Sequence, residues 1–492
     1  MRAPAPSSWS FQPPRQAPVR SGPGDLYLKV LGFVLLAYAL LGRSAAYVGV
    51  PPLFIGEVLL GVGLVLVLLA RRPQTFFAAP AMWACAMLIV WVAIRTVPYI
   101  PAYALDAPRD GMMAGYIFFA FIVVGLLLER PERLRDLLVR YRTLVVVICS
   151  VAWAIYLTFR LNPELFPFLP WAPTIRVVEN KPGDLMVHMT AITAFVVLGF
   201  KRPKPWLIVL LIVGTGALAA GTRGGMMGFV FGMAAFAVMK PKSARFGKLA
   251  YIGAFLVIAG LAVDTTNLEV NEGNRSLSLE QLWENAKSVF GRSDQAMLKN
   301  TAEWRLQWWE KIIDYTVFGE YRWTGKGFGR NIATEDGFAV DDQGSLRSPH
   351  NSVMTLLARG GIPAVVLWTA IHGLWFWSVL RAWLHARREG LTAWTGFFAL
   401  CVVFWIAAQV NGIFDVYLEG PMGAIWFWAV FGAAIAGARL VRTHPTLLDD
   451  VIETADGDGG PGDGGPEAPT WAWRPPAEPR AAAPIPSWTP VR

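Results

Sequence analysis

The chain has 492 residues, of which 54% are hydrophobic and only 16% charged, with a mean hydropathy of +0.42. That balance excludes an ordinary soluble globular protein and describes a polytopic membrane protein. The formal charge of +9 does not argue for nucleic acid, because the Lys and Arg residues gather in short loops between apolar runs, where they orient a chain in a bilayer. Cys85, Cys149 and Cys401 all fall inside apolar runs and give neither a disulfide framework nor a zinc spacing.

Residues 1–25, rich in Pro, Ser and Arg, read as a disordered arm rather than a cleavable signal peptide. A helix needs about 17–25 apolar residues to cross a bilayer core. By that measure the chain holds about twelve spans, at 26–42, 52–70, 77–94, 112–128, 143–160, 183–200, 206–220, 224–240, 248–265, 361–380, 392–412 and 420–438. The seventh and eighth are divided at Gly221-Thr222-Arg223-Gly224-Gly225, since an Arg midway through one span would be costly. The expected organisation is an arm (1–25), nine spans (26–265), an external helical lid (266–349), a His-bearing helix with three more spans (350–441) and a disordered tail (442–492).

The basic residues test this count. Arg71-Arg72, the group Arg130, Arg133, Arg135, Arg140 and Arg142, Lys201-Arg202-Lys204 and Lys240-Lys242-Arg245-Lys248 fall in alternate loops, while the loop from Gly412 to Gly420 has no basic residue. The positive-inside rule then makes both termini cytoplasmic and puts 266–349, with His350, outside or in the periplasm.

The external segment carries two amphipathic helical candidates, at 279–290 and 302–315. In the second, Trp304, Trp308 and Ile312 recur at helical spacing, with Arg305 and Trp309 on an adjacent strip. It is either part of a packed lid or an interfacial helix with Trp at headgroup depth and a snorkelling Arg. Gly325-Lys326-Gly327-Phe328-Gly329-Arg330 is a turn whose backbone could also approach phosphate. Next comes Ser348-Pro349-His350-Asn351, where the spacing predicts a helix capped by Ser348 with Pro349 at its first position. His350 would lie in the first turn, where the helix dipole favours a neutral ring and attracts anions. A neutral His is a competent general base, although an ordinary capped helix with a His at a water interface fits the same residues. His188, inside the sixth span, is a rival base. Metal-ligand spacing is lacking on the external side: Asp341-Asp342 reads as a solvated acidic turn, and Asp456-Gly457-Asp458 lies in the Gly/Pro-rich tail.

Twelve spans, a long external loop after the ninth, and His350-Asn351 followed by Leu356 and Gly361 together resemble the O-antigen ligase and O-antigen polymerase superfamily, bacterial membrane glycosyltransferases that use polyprenyl-diphosphate-linked glycans. The likeness extends to Gly221–Gly225, to Arg305 and to Glu179-Asn180-Lys181-Pro182-Gly183, and departs at Met354 and Arg359. It implies an all-α polytopic, GT-C-like fold in the bacterial inner membrane, with the active site in the periplasm. It implies His350 as the catalytic residue, Arg223 and Arg305 on the diphosphate, Asn351 in support, and no cofactor or metal. The expected partners are an undecaprenyl-diphosphate glycan donor, an acceptor hydroxyl, most simply on lipid A-core in lipopolysaccharide assembly, and the bilayer, with no nucleic acid. A chain polymerase and a protein O-oligosaccharyltransferase share this core. A transporter of twelve spans is the alternative from another class, and it would place ionisable residues or broken helices at the midplane.

Overall fold

The structure, a computed structural model, describes residues 22–70, 77–242, 244, 296–341, 344 and 346–453. Its longer α-helices are α1 (Pro23–Leu41), α2 (Ile55–Leu69), α3 (Pro80–Thr96), α4 (Asp106–Gly115), α5 (Phe118–Glu129), α6 (Glu132–Val147), α7 (Trp153–Leu161), α8 (Pro182–Val197), α9 (Pro205–Gly221), α10 (Arg223–Met239), α11 (Ala296–Ile313), α12 (Ser352–Arg388), α13 (Thr392–Phe414) and α14 (Pro421–Thr443). Among the described residues, paired strands form two small hairpins, Gly49–Val50 with Leu53–Phe54 and Phe168–Leu169 with Ala172–Arg176. The protein is an all-α, multi-pass membrane protein. Among the described residues, seven helical runs are long and apolar enough to cross a membrane, and α2, α8, α9 and α10 are shorter apolar helices.

Eleven of the twelve expected spans coincide with these helices; the ninth, 248–265, lies outside the described residues, as do Arg71-Arg72, the candidate helix at 279–290 and Asp342. Five helices, α1, α3, α8, α9 and α14, start with Pro at a position where its missing N–H costs no hydrogen bond. The division at Gly221 holds, because Thr222 is extended and its hydroxyl accepts from Gly225 N at 3.2 Å, capping α10. Glycine lets α10 approach its neighbours closely: a Cβ on Gly228 would meet Ala407 O of α13 at 3.0 Å, and one on Gly232 would meet Thr190 of α8 at 2.8 Å.

Two features differ from expectation. The basic group Arg133, Arg135, Arg140 and Arg142 stands on the opening turns of α6, which continues through a π-helical turn (Ile148–Ala152) into α7 as one helical run of 30 residues. Ion pairs explain the early start, since Arg133 meets Asp25 at 2.8 Å and Glu129 at 2.6 Å. Beyond α14 the chain also packs back onto that end of the bundle: Leu448 and Val451 are buried, Asp450 pairs with Arg135, and Glu453 binds Lys201 and the amide of Arg202.

α12 is not a single straight helix. Gly361 has φ 68° and ψ −169°, a conformation that favours glycine, so 352–360 is a separate helical segment leading into the long span. The Gly-rich turn completes this break. Lys326 N donates to Ala358 O at 2.7 Å and Gly327 N to Arg359 O at 3.0 Å, satisfying carbonyls that the interrupted helix leaves open. The turn is thus committed to backbone contacts. The described part of the lid has its own core of Trp308, Ile312, Ile332 and Ala333, closed by Leu357 and Ala358 of the same 352–360 segment. In the 302–315 stretch, Trp308 and Ile312 are fully buried in this core.

Candidate active site

His350 does not lie in the first turn of a helix capped by Ser348. Asn351 is the cap: its Oδ1 accepts from Val353 N at 2.9 Å and Met354 N at 3.1 Å, and the helix begins at Ser352. Ser348 is unavailable as a cap because its hydroxyl donates to Glu419 Oε1 at 3.0 Å and stands 3.0 Å from Thr355 Oγ1. His350 falls between these anchors in the left-handed region, with φ 53°. That conformation is uncommon for a residue with a Cβ and costs on the order of 1–3 kcal/mol, so surrounding contacts must enforce it. One such contact is Trp309 of α11, whose Nε1 donates to Pro349 O at 3.0 Å. Asn351 thus fixes the backbone direction where the helix starts.

The imidazole, 29% exposed, turns its buried Nδ1 toward Asp415 Oδ1 at 3.6 Å, just beyond hydrogen-bond length. Asp415 lies in the short connection between α13 and α14. The same Oδ1 accepts from Lys181 Nζ at 2.7 Å and from its neighbour Val416 N at 2.7 Å. Burial acts to raise the Asp415 carboxyl, but the His350 ring, Lys181 and the Val416 amide outweigh it and hold the group well below the usual carboxylate range. For Lys181, burial acts downward and the Asp415 charge more than offsets it, so the ammonium is held above its ordinary value. Glu419, in the same connection, shifts the other way: burial raises it despite hydrogen bonds from Ser348 and Thr355.

Arg223 and Arg305 arrive at this connection from other elements. Arg305 of α11 donates from Nη1 to Phe414 O at 3.0 Å. Gly224, next to Arg223 at the start of α10, packs so closely on Phe414 that a Cβ would fall 2.9 Å from the Phe414 Cβ. Of the sequence-predicted residues, His350 faces Asp415 and Arg305 bonds Phe414 at one end of the bundle, while Arg223 opens α10 next to Gly224, which packs on Phe414. The motif 179–183 reaches the same end: Glu179 N donates to Leu41 O at 3.0 Å, Asn180 donates to Leu40 O, and Lys181 binds Asp415. Gly42 makes this approach possible, with φ 67° and the position of a Cβ only 2.2 Å from Glu179 O. The basic turns of α6, with Asp25 and Glu453, lie at the other end.

The rival His188, and His372 of α12, are placed differently. His188 is buried against Trp426, ring centroids 4.9 Å apart, beside a small polar cavity lined by Tyr38, Asn180, Lys181 and Asp184. His372 is enclosed by Trp368 and Trp405 and bonded to Gln409 Nε2 at 3.0 Å. Arg359, one of the departures from the family pattern, holds the lid: Nη1 is 2.9 Å from Asp110 Oδ2, and the guanidinium also donates to Arg330 O and Arg347 O.

Sequence reasoning missed Asp415, Glu419 and the pairing of Lys181. The loop without basic residues carries two acids, and that was the available signal.

The multi-pass bundle thus holds a cluster of Arg, His, Lys and Asp at one end. Residues 207–369 match the family model described as O-antigen ligase, and this places the segment that holds Arg223, Arg305, His350 and Asn351 in the O-antigen ligase and polymerase superfamily. The role that follows is membrane glycosyl transfer of the ligase or polymerase kind, with glycan and lipid substrates. No curated protein matches the chain.

Proposed function

We propose that the protein is an inverting, metal-independent glycosyltransferase that moves a glycan from a polyprenyl diphosphate to an acceptor hydroxyl at the periplasmic face of the bacterial inner membrane, with lipid A-core as the favoured acceptor. The observation that supports this reading is the approach of His350 and Arg305 to Phe414-Asp415, on which Gly224, the neighbour of Arg223, also packs. Basic residues at the opposite end of the bundle support the orientation.

On a small closure Asp415 orients the imidazole by accepting from Nδ1–H, which leaves Nε2 to take a proton. The acceptor O–H gives that proton to His350 Nε2 as its oxygen attacks the anomeric carbon. The bond from that carbon to the diphosphate breaks on the opposite face, its electron pair leaves with the diphosphate, and the anomeric configuration inverts. Two permanently charged guanidinium forks and the N-terminus of α10 stabilise the charge that gathers on the leaving group. Lys181 keeps Asp415 ionised, so the proton stays on the imidazole until product leaves.

The test is transfer by the purified protein from an undecaprenyl-diphosphate glycan, offering lipid A-core, a glycan chain and a protein hydroxyl in turn. Labelled lipid A-core is the expected product; labelled glycan chain or protein would redirect the acceptor assignment, and no transfer to any acceptor would overturn the enzyme reading.

A further inference from the structure

A sizeable cavity of the bundle lies away from His350. It is an apolar crevice of about 420 Å³ between α1, α6, α13 and α14, within the ~300–1,000 Å³ typical of ligand pockets. Its wall includes Leu31, Leu35, Leu138, Phe404 and Trp426, and Phe33, 72% exposed, stands at its open side. Two charged residues line it, Lys29 and Arg140, and there is no acid in the lining.

These two cations differ from their neighbours. Elsewhere on α6, Arg133 is taken by Asp25 and Glu129, Arg135 by Asp450, and Arg142 by Glu453 and the Phe200 carbonyl. Lys29 and Arg140 make no ion pair with any described residue. Four residues separate Lys29 from Asp25 and seven separate Arg140 from Arg133, so they lie about 6 and 10 Å along their helices from that ion pair. At that depth long cationic side chains reach back to lipid headgroups while their stems line apolar surface.

We infer that the crevice is a binding site for an anionic phospholipid, its acyl chain among Leu31, Leu35, Phe404 and Trp426 and its phosphate on Lys29 and Arg140. The phosphate is not that of a reacting donor. Lys29 is thirteen residues, about 20 Å along α1, from Gly42, which abuts the loop leading to Lys181. Charge complementarity selects the occupant, since a zwitterionic headgroup offers these cations no net charge to neutralise.

Native mass spectrometry of the full chain, titrated with phosphatidylglycerol, phosphatidylcholine or undecaprenyl phosphate, tests this. Wild type should retain phosphatidylglycerol at least ~10-fold more tightly than phosphatidylcholine, at ~1 kcal/mol per cation. Lys29→Ala with Arg140→Ala should abolish that preference. Gly32→Leu, where an added Cβ meets nothing within 4 Å, should fill the crevice and weaken retention without unfolding, thermal denaturation being the check. Equal binding of the two phospholipids, unchanged phosphatidylglycerol retention in the variants, or loss confined to undecaprenyl phosphate would each overturn the assignment.

Discussion

His350 Nδ1 and Asp415 Oδ1 face one another at 3.6 Å, although one residue precedes a lid-bound helix and the other follows a membrane span. A small closure would bring them to hydrogen-bond distance, and substrate binding is the natural occasion for it. His350→Ala should lower kcat by ~10²–10⁴-fold, the usual range for a general base, while donor binding is retained. Asp415→Asn removes the charge that orients the ring and should also act on kcat. A radiolabelled transfer assay at saturating donor checks both, and near wild-type turnover in His350→Ala would sink the base assignment.

The two arginines should behave differently from the histidine. Arg223→Ala and Arg305→Ala remove charge from the leaving-group side, so each should weaken donor affinity and reduce transfer by about 10²–10³-fold. Lys replacements should recover only part of this, because an ammonium cannot form the two-pronged contact of a guanidinium. Donor binding by calorimetry in detergent, set beside transfer rates, separates the effects. Unaltered donor affinity in both alanine variants would remove them from the diphosphate site.

Asp415 and Glu419 give opposite pH signatures. The folded-state pKa of Asp415 lies below its unfolded value of about 3.9, so its stabilising contribution is complete above that value and is lost as pH falls through the folded pKa. Glu419 is raised by burial above about 4.3, so stability declines as pH rises from there through its folded pKa. Melting curves between about pH 3 and pH 8 should show Asp415→Asn less stable than wild type at neutral pH, with the gap closing on acidification. Glu419→Gln should gain on wild type as pH rises. Parallel curves for all three proteins would contradict both shifts.

The sequence made the spans legible because membrane length and charge asymmetry are strong one-dimensional signals, and the break at Thr222 is of that kind. Short motifs singled out His350, Arg223 and Arg305. What escaped was pairing at long range. Ser348 is as good a cap as Asn351 when only local residues are read; Glu419, far along the chain, takes its hydroxyl and moves the helix start. Likewise, Arg359 looks like an isolated departure until Asp110 of α4 is found 2.9 Å away. Asp415 carries no motif of its own, and only the folded chain brings it against Lys181.

The lid supplies the last prediction. Lys326 Nζ meets Asp336 Oδ1 at 2.5 Å with side chains 10% and 0% exposed, and Asp336 Oδ2 also accepts from Trp308 Nε1 at 2.9 Å and the Tyr315 hydroxyl at 3.2 Å. Lys326→Met would strand a buried carboxylate, a change that costs about 3–5 kcal/mol. Gly325→Ala should act on the same joint, because Gly325 has φ 61° and a Cβ there would lie 2.3 Å from the Arg359 carbonyl carbon. Both substitutions loosen the packing of Trp308 on Leu357 and Ala358, and with it the 352–360 segment that carries the Asn351 cap. Limited proteolysis should then cut within 296–341 at least ten-fold faster than in wild type, and transfer should fall. Because neither residue is assigned to the diphosphate, donor affinity should change far less than turnover. Wild-type protease resistance in both variants would mean that this joint does not hold the lid.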